Sequence, residues 1–122
     1  MEMRDEMEKL YNYFDARVGK KLKVDSSEVK LNMATQDFRD KTIKLSFDYK
    51  NRGLLSTIEV EDDYFILSTS YGTITDIRPK VKASKDDIST KIVNQIKKFV
   101  QDSDRDLKEP LQINLESFDW RE

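Results

Sequence analysis

The chain has 122 residues, 24 acidic and 22 basic, for a formal net charge of −2, and it contains neither histidine nor cysteine. Those two absences exclude imidazole and thiolate catalysis, disulfides and the usual structural zinc site. The balanced charge supplies no overall field toward nucleic acid or a membrane surface, and the length suits one domain, 1–122, with a single unstapled core.

Charged residues make up 38% and apolar residues 37% of the chain, but the apolar ones are strongly periodic, which argues against disorder. Met3, Met7, Leu10, Tyr11, Phe14 and Val18 recur at spacings of three and four, predicting an amphipathic helix. Glu2, Asp5, Glu6 and Glu8 complement the positive end of its dipole, and Gly19 supplies a left-handed cap. Its two methionines are expected in the core rather than in an adaptable binding groove. Lys20, Lys21 and Lys23 form a basic exit.

Alternation then takes over. Val29, Leu31 and Met33 predict a strand, and the segment from Gln36 to Lys41 a loop. Ile43, Leu45, Phe47 and Tyr49 alternate with Lys44, Ser46, Asp48 and Lys50, the pattern of a strand with one buried and one solvated face. Lys50-Asn51-Arg52-Gly53 suits a hairpin with Gly53 at positive φ, and Leu54, Ile58 and Val60 form the return strand. After a turn at Glu61-Asp62-Asp63, Tyr64 to Ser70 forms a strand with Phe65 and Leu67 on one face and Tyr64 and Ile66 on the other. Tyr71-Gly72 turns into a strand from Thr73 to Ile77, and Pro79 interrupts pairing.

Ser84 and Asp87 have the form of a capping box ahead of Ile88, Ile92, Val93, Ile96, Phe99 and Val100, the apolar face of a second helix. A loop from Asp102 to Asp106 leads past Pro110 to a last strand of Leu111, Ile113 and Leu115, with a bulge near Glu116 or Ser117 before Phe118 and Trp120. The expected fold is α+β: an N-terminal helix, an antiparallel meander of about five strands, a second helix and a C-terminal strand, both helices on one face of the sheet.

Asp48-Tyr49-Lys50 at a strand end, with Asp37 or Asp40 upstream, resembles the D-x-K of restriction-endonuclease-type nucleases. That resemblance covers three residues and one aspartate, and it implies Mg²⁺ on the carboxylates and a lysine that orients water. Asp102, Ser103 and Asp104 open like a calcium loop, but Leu107 and Ile113 stand where an EF-hand needs glycine and a bidentate glutamate. The three glycines are too far apart for a phosphate-binding loop. Acidic groups cluster at Glu59, Glu61, Asp62 and Asp63 and again at Asp102, Asp104, Asp106 and Glu109, while Arg78, Lys80, Lys82 and Lys85 form a basic stretch.

These observations favour a non-enzymatic, cytoplasmic protein-binding module with no cofactor and no metal. Its partner is a protein, not nucleic acid or membrane, and it meets Glu59, Glu61, Asp62, Asp63 and Tyr64, as in a small inhibitor or immunity-type protein that masks a nucleic-acid-binding or toxic partner. The alternatives are a metal-dependent nuclease using Asp48 and Lys50 with an upstream aspartate, or a structural subunit that assembles through a strand edge. The acids of Met1-Glu2-Met3-Arg4-Asp5-Glu6, where a signal peptide would carry basic residues, underlie the cytoplasmic expectation.

Overall fold

The computed structural model describes residues 3–72 and 79–117, with side chains for 3–72 and 79–105. Its elements are α1 (Met3–Asp15), β1 (Lys21–Val24), β2 (Ser27–Asp37), β3 (Thr42–Tyr49), β4 (Arg52–Val60), β5 (Phe65–Tyr71), β6 (Val81–Ala83) and α2 (Ile88–Ser117). All six strands pair antiparallel with their neighbours in chain order, so the fold is the expected α+β meander, with six strands in it where about five are expected.

The period-two pattern sets the inner face. Ile43, Ile58 and Leu67 line up across β3, β4 and β5, as do Phe47, Leu54 and Tyr71, and all six are buried. Between these rows lies a smaller one, Leu45, Ser56 and Thr69. α1 brings Met3, Met7, Leu10 and Phe14 to this face, and α2 brings Ile88, Ile92, Ile96, Phe99 and Val100, all in one buried cluster. Both helices therefore cover one side of the sheet, and the two methionines belong to the core. The other side carries Lys44, Ser46, Asp48, Thr57, Glu59, Ser68 and Ser70, with Met33, Leu55 and Ile66 among them, all exposed or half-buried.

Several local expectations change. Val18 does not extend the apolar face of α1, which ends at Asp15; Val18 is exposed, while Gly19 takes φ 87° as its position required. The basic exit is itself a strand, since Lys21 to Val24 pair with Lys30 to Ser27. Met33 turns outward because a bulge after Leu31 places Met33 opposite Ser46 and Ala34 opposite Leu45, reversing the alternation. The β3–β4 hairpin closes with Tyr49 paired to Arg52, so Lys50 (φ 51°) and Asn51 (φ 66°), not Gly53, take the left-handed conformations of a two-residue turn. Gly53 is already in β4, opposite Asp48.

The capping reading holds at Ser84, whose Oγ accepts the Asp87 N–H at 3.2 Å. The loop expected from Asp102 to Asp106 and the strand expected from Leu111 to Leu115 are both part of α2. Leu107, Leu111 and Leu115 recur every four residues, so this apolar run fits a helix as well as it fits alternation. The strand expected from Thr73 to Ile77 lies outside the described residues, and so do Phe118 and Trp120. β6, unforeseen, pairs Val81, Lys82 and Ala83 with Leu67, Ile66 and Phe65.

Candidate functional site

The β4–β5 turn is built because Val60 and Phe65 pair across it and both face the core, leaving Glu61, Asp62 and Asp63 to solvent. The Glu61 N–H donates to the Tyr64 carbonyl at 2.9 Å and closes the turn. The β2–β3 loop meets it here, since Thr42 pairs with Glu59 and the Val60 N–H donates to the Lys41 carbonyl at 2.8 Å. Asp37 shapes that loop by accepting the backbone N–H groups of Arg39 at 2.9 Å and Asp40 at 3.2 Å.

The candidate residues divide here. Glu61, Asp62 and Asp63 make no ion pair among the described residues. Glu59 instead holds the Lys80 ammonium at 3.6 Å, and Lys82 sits 4.2 Å above the Tyr64 ring. Part of the basic stretch is thus folded against the acidic hairpin and neutralises its sheet side; Arg78 lies outside the described residues.

A hollow of ≈ 410 Å³ opens beside the hairpin, lined by Met3, Arg4, Met7, Phe38, Lys41, Val60, Glu61 and Asp62. Phe38 is 45% exposed, with the Arg4 guanidinium 5.4 Å from its ring centroid. The sequence places Phe38 in the loop from Gln36 to Lys41 and gives it no role. The available signal was a large aromatic in a segment with no apolar period to bury it.

The D-x-K constellation does not assemble. Asp37 faces Thr42 at one end of β3 and Asp48 lies at the other, about 20 Å away at the rise of a strand. Lys50 is drawn to α2, where its ammonium meets Asp104 Oδ1 at 3.1 Å. The calcium-like residues act structurally. Asp104 accepts the Tyr49 hydroxyl at 2.8 Å; the hydrogen bond from Tyr49, then that from Lys50, holds its carboxyl below the ordinary aspartate range. Lys50 is held above the ordinary lysine range, first by its bond to Asp104. Asp102, with its side chain buried, accepts the Tyr71 hydroxyl at 3.0 Å and faces Lys98 at 3.6 Å and Arg105 at 3.3 Å. Among the described residues, no three carboxylates converge as a metal site would require. Nor is any helix among them long and apolar enough to cross a membrane.

Comparisons of this chain with protein-family models, with curated proteins and with solved structures each find no match.

Proposed function

We propose that this chain is a non-enzymatic protein-binding module that receives a basic partner surface at its β4–β5 hairpin, in the manner of a small inhibitor or immunity-type protein. The observation that carries this reading is the pairing of exposed carboxylates with an apolar anchor. Glu61 and Asp62 edge the same hollow that exposes Phe38 above Met3 and Met7. A charged rim around an aromatic anchor is the layout of protein interfaces, and carboxylates there steer and select a cationic partner. The same carboxylates repel nucleic-acid phosphate, which makes a protein the better partner. Cytoplasmic residence is part of the proposal.

The test places a photocrosslinking residue at position 63 and identifies what it captures in the native host. One partner is expected, bound more weakly as salt rises, and its affinity should fall at least about tenfold when Glu61, Asp62 and Asp63 are all replaced by lysine. A partner indifferent to that reversal, or captured only from Ser46 on the opposite face of the sheet, would refute the assignment. Metal-dependent nuclease activity lost in Asp48→Ala would replace it with the enzyme.

A further inference from the structure

Arg4 is the second residue of α1, in the turn where the helix dipole favours carboxylates and where Asp5 and Glu6 also stand. A cation there opposes the dipole, so helix stability does not account for it. Glu8 lies one turn on, at the spacing of a helical ion pair, yet Arg4 forms no ion pair among the described residues. Its guanidinium lies instead against the β2–β3 loop, 5.4 Å from the centroid of the exposed Phe38 ring. That contact is loose. Arg17, just past the other end of α1, lies 3.6 Å from the Tyr13 ring and is also pinned by a 2.7 Å hydrogen bond to the Tyr13 carbonyl. Arg4 has no such second hold among the described residues.

Arg4 and Phe38 belong to the wall of the ≈ 410 Å³ hollow beside the β4–β5 hairpin, a volume in the range of ligand sites. The charged groups of that wall are two cations, Arg4 and Lys41, and two carboxylates, Glu61 and Asp62. The hollow is therefore balanced as it stands, and with Arg4 swung out it carries one net negative charge beside a bared aromatic ring. Glu61 and Asp62 make no ion pair among the described residues, so Arg4 covers the ring without satisfying them. A guanidinium is the cation that suits an aromatic face next to a carboxylate. Its plane stacks on the ring while its fork of N–H donors reaches the oxygens. A lysine ammonium is more strongly hydrated and has no plane to stack, so it gains less.

We infer that Arg4 is an internal stand-in for an arginine side chain of the partner. The incoming guanidinium displaces Arg4 from Phe38 and reaches Asp62, so the resting chain shields its own docking hollow. The inference rests on the assignment of the partner to the β4–β5 hairpin, and it gives that partner's basic surface a chemistry, arginine over lysine. Displacement costs little, because an exposed cation–π contact is weak and the freed Arg4 is solvated.

Nuclear magnetic resonance titration with acetyl-Gly-Arg-Gly-amide and its lysine counterpart at low salt tests the inference, followed at the Phe38 ring and the Asp62 amide. The arginine peptide should shift both signals and bind at least about threefold more tightly than the lysine peptide. Arg4→Gln should raise the affinity for the arginine peptide about two- to fivefold, the weight of one exposed cation–π contact. Phe38→Leu, in an exposed loop position, should erase the preference for arginine with the far-ultraviolet circular dichroism unchanged, and Asp62→Asn should weaken binding of both peptides. Equal affinity for the two peptides, or an Arg4→Gln chain that binds arginine no better than the parent, would overturn the inference. The hairpin assignment fails separately: arginine-selective binding with no partner captured at position 63 counts against that assignment and not against the arginine site. A captured partner with no arginine preference in the hollow does the reverse.

Discussion

Asp104 accepts two hydrogen bonds from the β3–β4 hairpin, although its side chain is 46% exposed. Its carboxyl titrates below the ordinary aspartate value of 3.8, so the folded state binds fewer protons than the unfolded chain as pH falls. Its stabilisation is therefore complete above that ordinary value and is lost as pH drops through the lowered one. Lys50 titrates above 10.5, so on the alkaline side the same pairing persists until pH rises through that higher value. Both shifts describe one contact and count once, and solvent screening keeps its contribution small. Asp104→Asn is expected to lower the thermal midpoint slightly at about pH 7, and the gap to the parent should close as pH falls below 3.8 through the lowered value. Melting curves across that range check it, and a gap that stays constant with pH would assign the loss to packing instead. Nothing in the spacing of Asp102 and Asp104 announced these roles, because their partners Tyr71 and Tyr49 lie 31 and 55 residues away in sequence. Local pattern alone carries only two acids near a helix end, which fits a loop as well as a helix.

At the scale of elements, Phe99 stands at the centre of the contact between α2 and the β3–β5 tyrosines. Phe99, 1% exposed, meets the rings of Tyr49 at 6.4 Å and Tyr71 at 5.3 Å in edge-on geometry, between the two tyrosines whose hydroxyls reach α2 one turn later. Phe99→Ala should cost about 3–5 kcal/mol. Val93→Ala, on the exposed side of the same helix, should stay within about 0.5 kcal/mol. Urea unfolding of both variants decides this, and equal costs would mean that α2 is not docked through its Phe99 face. The elements that were legible are those with long periodic runs: α1, β3, β4, β5 and the first half of α2. β1 escaped notice because four residues with two lysines carry almost no alternation, and its strand character comes from pairing with β2. The far half of α2 was misread because a short apolar run serves either period, and Pro110 argued for an interruption. The hairpin carboxylates were legible as exposed from sequence alone. The hollow beside them was not, since it requires the β2–β3 loop, the β4–β5 turn and α1 to meet.

Across the whole molecule, a meander in chain order distributes stability unevenly. β3 and β4 have a long partner on each side, whereas β1 and β6 stand at the two edges with four and three residues. Both edge strands carry lysine, Lys21 and Lys23 on one and Lys82 on the other, which discourages a further strand from adding there and argues against assembly through the sheet edges. β6 is held at its outward side by exposed attachments, Lys80 to Glu59 and Lys82 to Tyr64, each weakened by solvent. Opening β6 would expose Ala83 and the edge of Phe65; opening β4 would break two ladders and uncover Leu54, Ile58 and Val60 together. Amide exchange should therefore be slowest in β3 and β4, where it requires global unfolding, and faster by orders of magnitude in β6 through local opening. Dilute denaturant should accelerate β3 and β4 steeply and β6 hardly at all, because local opening exposes little surface. If β6 amides instead exchanged as slowly as those of β4 with the same denaturant dependence, the edge would be part of the cooperative core, and the acidic hairpin it braces would be a rigid surface rather than one able to adjust to a partner.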